Sequence, residues 1–209
     1  MERRQFIVGA AATTGFGAVP EPSKAYTRCN GVLCEAGLRL PEISKAYQNQ
    51  KMSQWCWAAS IQMVFRYYGY HVSQPDIVRE TYGHVGNIPA VTGLAISRNL
   101  QRSWKDSFGN YFSVEIEGLY DFDLGITNIS DSQIISAMNS ERPIVIGTTS
   151  HAMVLTAVAF DRKFDPPRIV NIGFADPWPY GPSLRGGQIE GVPMHRGGMM
   201  RYLCLPRVI

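Results

Sequence analysis

The chain has 209 residues, of which 45% are hydrophobic and 18% charged, and this composition is typical of one globular domain with a sizeable core. The formal net charge is only +3, with Lys and Arg scattered along the sequence, so we expect neither a nucleic-acid partner nor a polybasic membrane surface. No uninterrupted run of about 18 apolar residues occurs, so the sequence predicts no transmembrane helix and no stable membrane insertion.

The N-terminal segment differs from the rest of the sequence. Paired arginines, Arg3 and Arg4, precede a Phe-Ile pair and a modestly hydrophobic stretch rich in Gly, Ala and Thr. This order resembles a twin-arginine export signal, and Ser23-Lys24-Ala25 supplies small residues at the usual cleavage spacing. We therefore expect residues 1–25 to be the export signal of a bacterial periplasmic or secreted protein, and residues 26–209 to be the mature domain. An ordinary disordered leader is the alternative.

Four cysteines are present, at positions 29, 34, 56 and 204. In an exported protein, Cys29 and Cys34 can close a small loop by a disulfide. Cys204 lies in the apolar run Arg-Tyr-Leu-Cys-Leu-Pro and is predicted to be a buried strand residue, with pairing to Cys29 or Cys34 as the alternative. The spacing fits neither a CxxC redox motif nor a zinc site, because no second Cys/His pair at metal spacing follows, and we expect no metal.

A strongly amphipathic helix is predicted near the start of the domain. Residues 26–49 read as irregular chain, and residues 50–69 read as a loop that continues into this helix. Ser53 is the predicted N-cap, and Gly69 is the predicted left-handed residue at the C-terminal end. The buried face is predicted from apolar residues at helical spacing: Trp57, Ile61, Val64, Phe65 and Tyr68.

Cys56 is the candidate nucleophile of this helix. With Ser53 as the cap, Cys56 is the third helical residue and lies in the positive end of the helix dipole, which favours the nucleophilic thiolate. Gln50 lies six residues upstream, so its side-chain amide can return over the sulfur as an oxyanion donor. The alternative is that Cys56 is a small buried apolar residue, as most free cysteines are.

The middle of the chain alternates helix and strand signals. A second helix is predicted where Ser73 precedes a proline by two positions, and a third over residues 90–104. Residues 111–117 alternate apolar and polar side chains, which predicts a strand. The capping-box spacing of Ser130 and Gln133 predicts the start of a further helix.

The C-terminal half brings two more chemical groups together. Its apolar runs predict three buried strands, over residues 144–147, 153–160 and 168–173. The polar, proline-rich turn between the last two strands predicts an antiparallel hairpin. His151 stands at the start of this hairpin and Asp176 just beyond its end, and these two points meet at the same edge of an antiparallel pair. We therefore expect His151 and Asp176 to be neighbours.

Together these residues supply the parts of nucleophilic acyl transfer. Cys56 attacks a carbonyl carbon, His151 holds the proton and returns it to the leaving amine, and Asp176 orients the imidazole. Gln50 and the backbone N–H of Cys56 stabilise the oxyanion. Asn171 is the rival for the orienting role, but its position in the middle of a strand predicts a side chain that points away from the sheet edge.

The segments that carry these residues resemble papain-like cysteine peptidases, and the nearest groups are the C39-like peptidases and a set of secreted effector peptidases. The segments are Gln54-Trp-Cys-Trp-Ala-Ala59, Tyr67-Tyr-Gly69, Arg142-Pro-Ile-Val-Ile146, Ser150-His-Ala-Met-Val-Leu155 and Ala175-Asp-Pro177. The order Gln, Cys, His, Asp is the order found in the family. The resemblance extends over residues 45–180.

This resemblance implies an α+β, papain-like fold, in which an N-terminal helical part with the nucleophile helix packs on a C-terminal antiparallel β-sheet. It also implies a thiol peptidase that acts on a peptide or protein substrate without a metal or organic cofactor. An amidase or transpeptidase with the same triad is one alternative, because the triad sets the chemistry and the cleft sets the substrate. A binding module that kept the fold and lost turnover is another. The sequence makes no prediction of the oligomeric state.

Overall fold

A computed structural model describes residues 25–90 and 92–209 of the chain. The predicted export signal lies, apart from Ala25, outside the described residues and stays a prediction. Within the described part, five α-helices and ten β-strands form an α+β architecture, as predicted. None of these helices is long and apolar enough to cross a membrane.

The helices and strands have the following bounds. The helices are α1 (Leu40–Ala46), α2 (Cys56–Tyr67), α3 (Gln74–Tyr82), α4 (Gly93–Leu100) and α5 (Asp131–Asn139). The strands are β1 (Tyr26–Asn30), β2 (Leu33–Gly37), β3 (Ser103–Lys105), β4 (Tyr111–Asp121), β5 (Ile126–Thr127), β6 (Ile144–Gly147), β7 (Ala152–Asp161), β8 (Arg168–Ala175), β9 (Leu184–Gly187) and β10 (Tyr202–Val208).

The strands pair in antiparallel fashion around β7. The main order is β1-β2-β7-β6-β10-β4-β3, while β8 also pairs with β7, β9 pairs with β8, and β5 pairs with β4. The predicted hairpin of β7 and β8 is present, and Val154 lies opposite Ala175 in its register. Both strands extend beyond their predicted ends, so that β7 starts directly after His151 and β8 ends directly before Asp176.

The prediction that residues 26–49 are irregular is wrong. They form the hairpin of β1 and β2 and then α1, whose first turn tolerates a proline. Cys29 lies opposite Cys34 in the hairpin and forms a disulfide with it, so the loop predicted from these cysteines is confirmed. The strand pattern is hard to read from the sequence because β1 has no buried residue and the buried residues of β2 are the small Cys34, Ala36 and Gly37.

The predicted helix over residues 90–104 is confirmed only for Gly93–Leu100. Trp104 lies instead on β3, where it pairs with Phe112 of β4. Its indole is buried and packs edge-on against Phe65 of α2. An apolar residue at this spacing suits a helix or a strand, and the pairing with β4 together with the contact to α2 selects the strand.

Helix α2 is the central helix of the domain, and it packs against α1 and α3 as well as against β6 and β7. Of the predicted buried residues, Trp57, Ile61, Val64 and Phe65 are at most 1% exposed, whereas Tyr68 is only half-buried. Residues 58–60 and 62–63 are buried too, so the helix is enclosed on nearly all sides rather than along one stripe. Each fully buried large side chain contributes about 1.5–3 kcal/mol to the hydrophobic stabilisation.

Other local predictions agree with the structure. Ser73 caps α3 by accepting a hydrogen bond from the N–H of Asp76, and Ser130 and Gln133 form the reciprocal capping box of α5. Gly69 has φ +87°, the left-handed conformation predicted after the end of α2. Cys204 is a free, fully buried residue of β10, so the alternative pairing with Cys29 or Cys34 does not occur.

Candidate active site

Cys56 is the first residue of α2, and the predicted N-cap is wrong. The cap position is Trp55, which has no side-chain capping hydrogen bond, and the Ser53 hydroxyl accepts from the side-chain amide of Asn87 instead. The reason is the turn before the helix, which is closed by a 3.0 Å bond from the N–H of Trp55 to the carbonyl of Met52. The helix therefore starts two residues later than predicted.

This start still leaves Cys56 in the positive end of the helix dipole. The side chain is partly exposed, unlike that of the buried Cys204. Among the described residues, no backbone carbonyl accepts a hydrogen bond from the Cys56 N–H, as is usual for the first N–H groups of a helix. The arrangement gives an accessible thiol beside an unoccupied backbone donor.

His151 and Asp176 are neighbours at the edge of the β7–β8 hairpin, as predicted from the sequence. Nε2 of His151 lies 2.6 Å from Oδ1 of Asp176. The side chain of Cys56 lines the same cleft as this imidazole and raises its pKa. Because Nε2 is engaged by the carboxylate, Nδ1 is the ring nitrogen left for the sulfur. The structure therefore brings Cys56, His151 and Asp176 together, with the imidazole between the thiol and the carboxylate.

The electrostatics of this chain favour a charged imidazole. Burial lowers the pKa of His151, but the hydrogen bonds and charges of Asp176 and Cys56 outweigh burial and raise the pKa to about 9. An imidazole with this pKa is protonated at neutral pH. It can then hold the negative charge of a thiolate beside it.

Asp176 is a buried carboxylate with several donors. Oδ1 accepts from His151 and, at 2.9 Å, from the backbone N–H of Trp178, while Oδ2 accepts from Nε of Arg185 at 2.7 Å. Burial raises the pKa of Asp176, but these hydrogen bonds and the charge of His151 more than compensate and lower the pKa to about 2. The carboxylate is therefore ionised throughout the neutral range.

Arg185 is a residue of this site that the sequence analysis did not find. It lies on β9, a four-residue strand with the sequence Leu-Arg-Gly-Gly, which carries no alternating apolar pattern. The sequence therefore gives only a weak indication that Arg185 lies on a strand near the site. The contact arises because β9 returns beside β8 and places Arg185 opposite Phe174, two positions before Asp176.

Asn171, the rival orienting residue, lies away from the imidazole. It is an exposed residue in the middle of β8, opposite Ala159, and its side-chain oxygen accepts from the N–H of Ile172. No contact joins it to His151 among the described residues. The geometry therefore favours Asp176 for the orienting role.

Gln50 is close to the site, but its amide is engaged elsewhere. Nε2 donates to the carbonyls of Met52 at 3.0 Å and Ser53 at 2.9 Å, and the buried Oε1 has no hydrogen-bond partner among the described residues. The backbone N–H of Gln50 donates to the carbonyl of Pro177, which ties this loop to the segment after Asp176. The oxyanion role of Gln50 requires that one N–H turn toward the cleft, and it stays a prediction.

A cleft of about 300 Å³ opens beside Cys56 and His151. Its floor contains Gly147, Ala152 and Tyr202, which lie opposite one another on β6, β7 and β10. Its remaining lining includes the ion pair of Arg201 with Asp123, together with Gln54, Trp57, Ile96, Thr148 and Trp178. Apart from the catalytic candidates, every charged group that lines this cleft is thus paired.

A larger cavity of about 760 Å³ lies on the other face of the sheet. Its lining includes Ile146 and Leu203, which are adjacent in sequence to Gly147 and Tyr202 and therefore point to the opposite side. None of the predicted site residues lines it. The smaller cleft is the candidate active site because it holds the hydrogen-bonded side chains.

Across residues 25–90 and 92–209, no group of three or more His, Cys, Asp or Glu side chains is arranged to hold a metal ion. Cys56 and His151 line the cleft, and the imidazole contacts the carboxylate of Asp176, so a thiol, an imidazole and a carboxylate are present for acyl transfer.

The profile of the Peptidase_C39 like family matches residues 42–183. This match spans more than half of the chain and includes the segments around Cys56, His151 and Asp176. The chain belongs to the Peptidase_C39 like family. Membership confirms the resemblance to C39-like peptidases, and the helices and large antiparallel sheet agree with a papain-like fold. No curated protein matches the sequence.

Membership in the Peptidase_C39 like family indicates a cysteine peptidase, and therefore a hydrolase that acts on a peptide or protein substrate. This indication holds for the family as a whole, and the roles of individual residues depend on the geometry of this chain.

Proposed function

We propose that this member of the Peptidase_C39 like family is a thiol peptidase whose triad is Cys56, His151 and Asp176. The observation that carries the proposal is the position of His151, which interacts with Cys56 on one side and is hydrogen-bonded to Asp176 on the other. A nucleophile, a base and an orienting group in this order are the requirements of nucleophilic acyl transfer.

In the first half of the reaction, the Cys56 thiolate attacks the carbonyl carbon of the substrate, and the carbonyl π electrons move to the oxygen. The oxyanion accepts a hydrogen bond from the Cys56 backbone N–H and, in this proposal, one from Gln50. The His151 imidazolium gives its proton to the amide nitrogen. The carbon–nitrogen bond then breaks, the amine leaves, and a thioester remains on Cys56.

In the second half, neutral His151 removes a proton from a water molecule, whose oxygen attacks the thioester carbon. The carbon–sulfur bond breaks, and the carboxylic acid product leaves. The sulfur departs as a thiolate beside the newly formed imidazolium. Asp176 holds the imidazole in orientation throughout, because Oδ1 keeps its hydrogen bond to Nε2.

The test is alkylation of the purified protein with iodoacetamide from pH 5 to pH 9, with the modified cysteine located by mass spectrometry. We expect rapid labelling of Cys56 well below the ordinary thiol pKa of about 8.5, and loss of this low-pH reactivity in His151→Ala. The buried Cys204 provides an internal control that stays unlabelled in the folded protein. Slow labelling of Cys56 until the protein unfolds contradicts the proposal.

The same preparation distinguishes a peptidase from an amidase or a binding module. Incubation with a library of peptides from a digested proteome, followed by mass spectrometry, is expected to yield new termini that are absent with Cys56→Ala. Reactive Cys56 without cleavage of any peptide supports another acyl transfer. An unreactive Cys56 favours the binding module.

We propose further that the protein is exported to a bacterial periplasm or secreted. The paired Arg3 and Arg4 support this location, and the disulfide of Cys29 with Cys34 suits an oxidising compartment. Expression of the full chain in a bacterium is expected to yield processed protein outside the cytoplasm. Replacement of Arg3 and Arg4 by Lys is expected to keep it inside, and continued export of that variant contradicts the twin-arginine route.

A further inference from the structure

Arg185 lies beside the proposed triad but just beyond residues 42–183, the segment that the family profile matches. It is on β9, opposite Phe174 of β8, and its guanidinium lies 4.5 Å from the centre of the Phe174 ring. A second apolar neighbour is Met153, whose sulfur lies 3.6 Å from one of the terminal nitrogens. These contacts hold the side chain against the sheet and aim it at Asp176.

The guanidinium joins two carboxylates. Nε donates to Oδ2 of Asp176 at 2.7 Å, and a terminal nitrogen lies 3.4 Å from Glu190. The Asp176 side chain is only 8% exposed and that of Glu190 is 19% exposed, so these charges are poorly screened by water. Arg185 is therefore the only partner of the Asp176 oxygen that His151 does not use, among the hydrogen bonds of the described residues.

We propose that Arg185 is a positioning residue of this site, which fixes the carboxylate of Asp176 against His151 and, together with Glu190, sets how strongly the imidazolium is stabilised. The inference rests on the proposed function, since it concerns the orienting carboxylate of that triad. Among the described residues, the hydrogen bonds of the Arg185 side chain go to Asp176, Glu190 and Met153, and Arg185 does not line the cleft beside Cys56.

Two effects of the Arg185 charge oppose each other. The cation keeps Asp176 ionised and holds it in place, which favours the imidazolium of His151. The same cation repels the imidazolium and partly neutralises the negative charge of Asp176. Both effects disfavour the imidazolium. Glu190 reduces the repulsion because it partly neutralises Arg185. Arg185 thus positions the carboxylate, and the balance of the Arg185 and Glu190 charges sets how strongly the imidazolium is stabilised.

The charged and titratable groups that face this point come from several elements. They are Cys56 of α2, Arg185 of β9, Glu190 of the turn after β9, Tyr47 after α1, whose hydroxyl donates to the carbonyl of Asp176, and the Asp123–Arg201 pair across the cleft. The Asp123–Arg201 pair is already neutral as a unit. Replacement of Arg185 or Glu190 therefore changes the net charge beside Asp176 while the three residues of the triad stay unsubstituted.

Replacement of Arg185 and replacement of Glu190 are expected to shift the pKa of His151 in opposite directions. In Arg185→Met, a side chain of similar length keeps the contacts with Phe174 and Met153 but loses the cation. Oδ1 of Asp176 still accepts from His151 and from the N–H of Trp178, so the carboxylate stays ionised, the loss of repulsion dominates, and the pKa of His151 is expected to rise. In Glu190→Gln, the cation of Arg185 is no longer neutralised, so the pKa of His151 is expected to fall. A close charge shifts a pKa by about one unit or more, and half a unit is measurable.

The primary experiment is a titration of the His151 imidazole by NMR in the full chain, because this readout needs no substrate and no turnover. The variants are Arg185→Met, Glu190→Gln and the charge-conserving Arg185→Lys. Arg207→Met is the matched control, because Arg207 pairs with Glu115 and Glu117 on the surface between β4 and β10. Circular dichroism shows whether each variant is folded.

Opposite shifts in Arg185→Met and Glu190→Gln, with Arg185→Lys and Arg207→Met near the wild type, support the proposal. Unchanged titrations in both charge variants, or shifts of the same sign, overturn it. If Arg185→Met does not fold, a downward shift in Glu190→Gln beside an unchanged Arg185→Lys supports it, and no shift in Glu190→Gln overturns it.

A parallel alkylation of wild-type Cys56 separates this inference from the proposed function. An inert Cys56 overturns the triad, whatever the titrations show. A reactive Cys56 with unchanged titrations keeps the triad and overturns the role of Arg185. If Cys56 is reactive and the titrations shift as expected, we expect kcat of Arg185→Met to fall about tenfold on a peptide found in the library, with KM nearly unchanged. The reason is that orientation of the proton donor acts on the transition state.

Discussion

Nε2 of His151 lies 2.6 Å from Oδ1 of Asp176, although the two residues are 25 positions apart in the sequence. The register of β7 and β8 makes this contact possible, since Val154 pairs with Ala175 and the start of β7 and the end of β8 therefore lie at the same edge of the sheet. A hairpin thus carries both the proton-transfer group and its orienting carboxylate. Only the sulfur of Cys56 comes from a separate helix.

The first prediction concerns the orienting residue. We expect Asp176→Asn to lower kcat by about 10²-fold or more, because the amide cannot stabilise the imidazolium as the carboxylate does. Asn171→Ala, on the strand that leads to Asp176, is the control, and we expect its activity to stay near that of the wild type, since the Asn171 side chain accepts from the neighbouring N–H of Ile172 and is exposed. Measurement of kcat and KM for both variants checks this. A severe loss in Asn171→Ala beside an active Asp176→Asn reverses the assignment.

Much of this site could be predicted because it depends on strong local patterns. The apolar run of α2, the capping box of α5 and the two long strands β7 and β8 each carry a clear period or turn signal. His151 and Asp176 then follow from the geometry of any antiparallel hairpin. Their meeting with Cys56 was supported only by the family resemblance, since nothing in the local pattern places α2 against β6 and β7.

What could not be predicted depends on contacts between distant segments. Ser53 has the sequence of an N-cap, but its hydroxyl bonds Asn87, 34 positions away. Arg185 meets Asp176 only because β9 returns beside β8. Trp104 joins a strand because it packs on Phe65 and pairs with β4. In each case a tertiary contact outweighs a local preference, and such contacts leave no mark on a single sequence.

A second prediction separates the two free cysteines. Cys56→Ala is expected to abolish peptide cleavage, by about 10³-fold or more, because no other group replaces the nucleophile. Its fold is expected to persist, since Cys56 is the partly exposed first residue of its helix.

Cys204→Ala is the matched control for this substitution. Because Cys204 is fully buried in β10, we expect a loss of about 1 kcal/mol in the free energy of unfolding and normal turnover by the folded protein. Urea unfolding and a cleavage assay measure the two effects. Cleavage by Cys56→Ala at the wild-type rate rules out Cys56 as the nucleophile.

A third prediction concerns the dependence of stability on pH. The pKa of His151 is raised to about 9 in the folded protein, so its contribution to stability is complete below the unfolded value of about 6.5 and is lost as the pH rises through 9. The pKa of Asp176 is lowered to about 2, so its contribution is complete above about pH 4 and is lost as the pH falls through 2. The window in which both act is therefore about pH 4 to 6.5.

His151→Gln removes the imidazole while it keeps a polar side chain of similar size. We expect the difference in Tm between wild type and this variant to be largest within that window and to shrink toward pH 9. His84→Gln is a suitable control, because His84 is exposed and its ring hydrogen-bonds the backbone carbonyl of Tyr82, away from the cleft. A Tm difference that grows as the pH rises from 6 to 9 contradicts the charged imidazole.

The last prediction tests Gln50 and separates a chemical role from a structural one. Its amide holds the carbonyls of Met52 and Ser53 in the turn before α2, so Gln50→Ala removes both these bonds and the proposed oxyanion donor. Loss of an oxyanion donor is expected to lower kcat by about 10²–10³-fold. Alkylation by iodoacetamide develops no oxyanion, because the sulfur attacks a saturated carbon. Cys56 of Gln50→Ala is therefore expected to react with iodoacetamide at close to the wild-type rate.

Gln54→Ala serves as the control, since Gln54 lines the same cleft and its side chain is not assigned to the oxyanion. If Gln50→Ala loses alkylation and cleavage together, Gln50 supports the turn and the position of Cys56, and the Cys56 N–H is left as the oxyanion donor.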